Sequence, residues 1–78
     1  MNDLIQNIDK LHTTQMGAER IKRNLKLDGD AVGWCKTKIL SGGAEICRQG
    51  KNRYAAADNC VITVNAHSYT IITAHIKS

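Results

Sequence analysis

Between Asn65 and His75 the chain reads NAHSYTIITAH, placing imidazoles, hydroxyls, an amide and a phenol within one short stretch. These are the groups from which proton transfer and phosphate recognition are built. With His12, His75 would form an acid–base pair suited to metal-independent cleavage of RNA, provided both rings reach one phosphate. The charge of a phosphorane also calls for cations, and Arg20, Arg23, Lys51 and Arg53 are the candidates, with Lys51 and Arg23 foremost. Asn65, Ser68 and Thr73 would supply hydrogen bonds and Tyr69 a surface for stacking on a base. His12 also has a simpler role, since a histidine at a helix end interacts with the last carbonyls. Ser68 has neither a G-x-S-x-G context nor an acidic partner in the sequence, which argues against a serine hydrolase. The GKNRY segment lacks a G-x-x-x-x-G-K pattern, so it reads as a hairpin turn in which Lys51 and Arg53 can still meet an anion.

The elements that must position these groups follow from periodicity. Leu4, Ile5, Ile8 and Leu11 recur at helical spacing, with Asn2 or Asp3 as cap. Thr13 or Thr14 then caps a second helix with Ala18, Ile21 and Leu25 inward and Arg20, Lys22, Arg23 and Lys26 outward. After the LDGD turn, Asp30 caps a third helix with Val32, Cys35 or Lys36, and Ile39 on its stripe, stopped by Gly42 and Gly43. Thereafter the period changes from helical to alternating. AEICRQ, RYAAA, CVITVNA and YTIITAHIK read as four strands joined by short turns, which can pair only as an antiparallel meander. The expected fold is a single α+β domain over residues 1–78, two or three N-terminal helices packed on one face of a four-stranded antiparallel meander sheet.

Register fixes which side chains share a face. A three-residue loop at Ala66–Ser68 sets Asn65 opposite Tyr69 and gathers Cys60, Ile62, Val64, Thr70, Ile72, Ala74 and Ile76 on the inner face. The outer face then carries Thr63, Asn65, Tyr69, Thr73, His75 and Lys77, with Val61 and Ile71 among them.

Composition bounds these readings. A chain of 78 residues has one small core and no second lobe. Lys and Arg outnumber Asp and Glu by 11 to 7, a net charge of +4, which favours polyanionic partners such as RNA or a nucleotide. Cys35, Cys47 and Cys60 lack C-x-x-C spacing and sit among apolar neighbours, so each is expected to pack as a small hydrophobe. Tyr54 is expected to pack against Trp34. No carboxylate pair or histidine cluster points to a metal, and no cofactor is implied. The N-terminus lacks a signal-peptide pattern and no apolar run spans a membrane, so a cytoplasmic protein is expected.

Through LHTTQMGAERIKRNL, WCKTKI, GKNRY and ITVNAHSYTIITAH, the chain resembles the uncharacterised bacterial family known as domain of unknown function 3781. That resemblance covers nearly the whole chain and implies no reaction. In layout, helices before a four-stranded meander, it is also similar to the barnase, colicin D and RelE group of small ribonucleases. Taken that far, the likeness implies an RNA cleft lined by His12, Arg20, Lys51, Tyr69, Thr73 and His75. Two further readings accompany toxin-like cleavage. One is a non-catalytic binder of the phage counter-defence kind that sequesters a nucleotide signal or blocks a partner protein, as a homodimer if two copies build one pocket. The other is an interaction module using an exposed sheet edge.

Overall fold

Helical and alternating periods divide the chain where the sequence changes character after Ile39. The computed structural model describes residues 3–41, 43–57 and 59–76. In order they form α1 (Asp3–Gln6), a 3-10 turn (Ile8–Lys10), α2 (Gln15–Leu25), α3 (Ala31–Ile39) and strands β1 (Glu45–Gln49), β2 (Asn52–Ala57), β3 (Cys60–Asn65) and β4 (Ile71–Ile76). The strands pair antiparallel in the order β1-β2-β3-β4. The expected α+β meander is therefore present. A cap at Asn2, the stop at Gly42, the Asp58 position of the β2–β3 turn and Lys77 lie outside the described residues.

Each helix ends where local chemistry stops it. Thr14 is extended at the N-cap of α2, and its hydroxyl accepts from the Gly17 N–H at 3.0 Å, satisfying a donor that has no partner within the helix. At the other end Lys26 is left-handed (φ 55°), and the Leu27 N–H reaches back to the Lys22 carbonyl at 2.9 Å, the wrap-around closure of a Schellman end. Asp30 holds the N-cap position of α3 without a side-chain cap bond. Buried residues repeat every fourth position, at Gly17, Ile21 and Leu25 in α2 and at Ala31, Cys35 and Ile39 in α3. Val32 packs only at the margin of that cluster. In place of one continuous first helix the chain shortens into α1 and a 3-10 turn. This carries Leu4 and Leu11 into the core and delivers Leu11 in an extended conformation (φ −65°, ψ 128°).

The helices cover one sheet face, α2 against β4 and α3 against β2. Beneath them Ala55, Ile62 and Ala74 form one cross-strand row, and Val64 and Ile71 pair in another. The register differs from the simple alternation expected. Thr63 pairs with Thr73 but Val64 pairs with Ile71, so one extra residue of β4, Ile72, is accommodated in a bulge. The bulge exchanges two isoleucines: Ile71 is buried and Ile72 is 38% exposed, the reverse of the sequence expectation. The open face carries the rows Cys47–Tyr54–Thr63–Thr73 and Glu45–Ala56–Val61–His75. Two other expectations are corrected by this register. Cys47 is exposed on the uncovered edge strand instead of buried, and Tyr54 lies across the sheet from Trp34, which packs on the helix side.

The two edges of the sheet are treated differently. Along β4 the His12 N–H donates to the Tyr69 carbonyl (3.1 Å) and the Ile71 N–H to the His12 carbonyl (2.7 Å), a short parallel bridge. The Thr13 hydroxyl donates to the Ile71 carbonyl (2.9 Å) and the Asn24 amide to the Ala74 carbonyl (3.2 Å), so the segment from His12 to Asn24 seals this edge. Beyond β1, no further strand pairs among the described residues.

Candidate functional site

The β3–β4 turn is built by Asn65. Its side-chain oxygen accepts from the N–H groups of His67 (2.9 Å) and Ser68 (3.0 Å), and its carbonyl accepts from the Tyr69 N–H (3.0 Å). Closing the turn requires Tyr69 to be left-handed at φ 59°, a conformation bulky residues rarely adopt. The Ala66 N–H donates to the Lys51 carbonyl at 2.8 Å, binding this turn to the β1–β2 turn beside it. There Gly50 supplies φ 61°, and Arg48 donates through Nε to the Gly50 carbonyl at 3.2 Å. One end of the sheet thus brings together Lys51, Asn65, Ser68 and Tyr69, and the parallel bridge adds His12.

At this end a chain of hydrogen bonds runs through three side chains. Ser68 Oγ is 2.8 Å from Thr70 Oγ1, which is 3.0 Å from His12 Nε2. The other ring nitrogen, Nδ1, lies 2.8 Å from the Lys10 carbonyl. A carbonyl only accepts, so Nδ1 carries a proton and a neutral His12 presents Nε2 as acceptor. The polarity then follows: Thr70 donates to His12, and Ser68 donates to Thr70. Lys10 adds its ammonium, 5.8 Å from the Tyr69 ring centroid. His12 therefore has both the helix-end role expected of it and a second contact that the sequence does not disclose.

The remaining residues of the expected cleft are elsewhere. His75 is exposed and stands opposite Val61. Because His12 bridges at Thr70, just before β4 and five residues ahead of His75, strand rise alone separates the backbones of the two histidines by roughly 15 Å. The His12 ring is turned to Thr70 and is not brought together with His75. Arg20 and Arg23 are exposed on α2. Arg20 is one turn before Asn24, whose amide lies 3.5 Å from Thr73 Oγ1, so Arg20 borders β4 near Thr73. Arg53 pairs with Val64, a core-facing residue, and is half-buried with its Nε shielded from solvent. Tyr69 packs against the core margin and is not on the open face.

Thr70, Lys10 and Arg48 were not among the residues singled out from the sequence. The sequence carries no signal for Thr70, because its contact with Ser68 is made around the left-handed Tyr69. Lys10 and Arg48 could be placed only once the backbone had brought distant segments together. Among the described residues no group of three or more His, Cys, Asp or Glu side chains could hold a metal ion. No described helix is long and apolar enough to cross a membrane.

The model of a family described as a protein of unknown function (DUF3781) matches residues 5–75. The chain belongs to that family. The match takes in both turns of the sheet end and every member of the His12–Thr70–Ser68 chain, so in DUF3781 terms the site lies within the family's own segment. No curated protein and no solved structure matches the chain.

Proposed function

We propose that this protein binds RNA or a nucleotide through its phosphate, at the sheet end formed by Lys10, His12, Lys51, Ser68 and Thr70. The hydrogen-bonded chain from His12 through Thr70 to Ser68 carries the reading. When His12 takes a second proton at Nε2, it becomes a donor to Thr70, Thr70 turns to donate to Ser68, and the Ser68 hydroxyl is released to donate outward. The site then offers a hydroxyl donor and a nearby imidazolium to an anion, with Lys10 beside it. Among ligands with accessible phosphate, RNA and nucleotides also suit the basic balance of the chain. The separation of His12 from His75 favours holding the phosphate over cleaving the RNA with that pair.

Fluorescence anisotropy with a labelled single-stranded RNA, competed by ATP in EDTA, tests the reading. Joint replacement Lys51→Ala and Ser68→Ala should weaken binding on the order of tenfold, the loss of one charge-assisted contact and one hydroxyl. His75→Ala should bind as wild type. Equal binding by the wild type and the double variant, or loss of binding on His75→Ala alone, would refute the assignment.

A further inference from the structure

We infer that Ser68 is a nucleophile, activated by His12 through Thr70, that accepts an acyl group from an ester bearing an anionic substituent. This goes beyond phosphate binding and does not rest on it, and it reverses the expectation against a serine hydrolase, since a backbone carbonyl of Lys10 stands where an acidic partner was missing. Three observations converge on Ser68. Its Oγ already accepts the Thr70 N–H at 3.3 Å, which suffices to close the local turn, so the 2.8 Å contact with the Thr70 hydroxyl and the onward link to His12 are additional to turn closure. The Lys10 carbonyl fixes the imidazole with Nε2 toward Thr70, the role an orienting group has for a catalytic base. The next residue, Tyr69, is held at φ 59°, so the exposed Ser68 stands on a sharply bent, conformationally strained corner.

The step balances without a co-reactant. Ser68 Oγ attacks the ester carbonyl and its proton passes to Thr70 Oγ1. The Thr70 proton passes to His12 Nε2, and the leaving alkoxide takes its proton from Thr70 Oγ1, which His12 Nε2 replenishes. The N–H groups of His67, Ser68, Tyr69 and Thr70 are all occupied within the turn. They form no oxyanion hole, and the developing negative charge falls to water. The Lys10 ammonium, 5.8 Å from the ring centroid of the adjoining Tyr69, favours an anionic substituent on the substrate. Acylation is therefore slow.

A biotinylated fluorophosphonate tests this directly, since it labels nucleophilic serines with loss of fluoride. The protein should be labelled at Ser68, located by peptide mass mapping, and not at all in Ser68→Ala. His12→Gln and Thr70→Val should each slow labelling on the order of a hundredfold, the scale of lost general-base assistance. Thr70→Ser, which keeps the hydroxyl, should restore most of the rate, a rescue that a merely structural role for Thr70 would not give. Wild-type protein left unlabelled by millimolar probe would overturn the proposal. So would label on another residue, or labelling of folded His12→Gln at the wild-type rate.

Discussion

Alkaline pH should unfold this protein through one buried thiol. Cys35 lies fully buried on the inner face of α3, and burial is the main cause that pushes its thiol from 9.0 up to about 12, with the charges of Asp30 and Cys60 adding to it. The folded chain therefore keeps the proton at pH values where the unfolded chain has released it. For such a group the stabilisation is complete below the unfolded value near 9.0 and is lost as pH climbs toward about 12. Each pH unit in that window removes about 1.4 kcal/mol, so the interval up to about pH 10.5 costs about 2 kcal/mol, a large part of what a small domain possesses. All other ionisable groups are common to the wild type and a Cys35→Ala variant. The assay is guanidinium unfolding of both proteins under reducing conditions at about pH 8 and about pH 10.5. Any pH-independent cost of the truncation cancels in the comparison. The wild type should lose about 2 kcal/mol more than Cys35→Ala over the interval. Parallel losses in the two proteins would refute the assignment of a raised thiol to Cys35.

Three further outcomes are expected. Thr14→Ala should lower stability by about 1 kcal/mol in urea unfolding, because the Gly17 N–H loses its cap. Asn65→Ala should cost about 1–2 kcal/mol in the same experiment, since two turn N–H groups lose their acceptor, and it should weaken RNA binding by loosening the corner that presents Ser68. A thiol-specific chromogenic reagent should react at once with Cys47 and with Cys35 and Cys60 only on unfolding, as the first is exposed and the other two are buried.

Local signals carried much of the architecture. Thr14, the repeated apolar positions of α2 and α3, and the short turns between alternating segments lead to the helices and the meander through rules that act within a few residues. The β3–β4 register escaped the same treatment. Alternation assigns a face by parity, and a single bulge at Ile72 reverses parity from there back to the turn, while Thr73 and His75 keep the expected face, without altering composition. The expected cleft depended on non-local placement for the same reason. His12 and His75 look equivalent as sequence features, but the backbone bridge to Thr70 commits His12 to the turn end of β4 and leaves His75 further along the strand. Cys47 has one apolar neighbour, Ile46, as Cys35 has Trp34 and Cys60 has Val61, and its place on the edge strand exposes it.

The unequal edges of the sheet set a valency for self-association. Strand addition needs a free row of backbone donors and acceptors, and the side chains and backbone between His12 and Asn24 already occupy the row along β4. Among the described residues, β1 is the edge left to accept a strand. Two chains joined through β1 would expose sealed edges at both ends, so growth by this route stops at a pair and cannot propagate into a fibre.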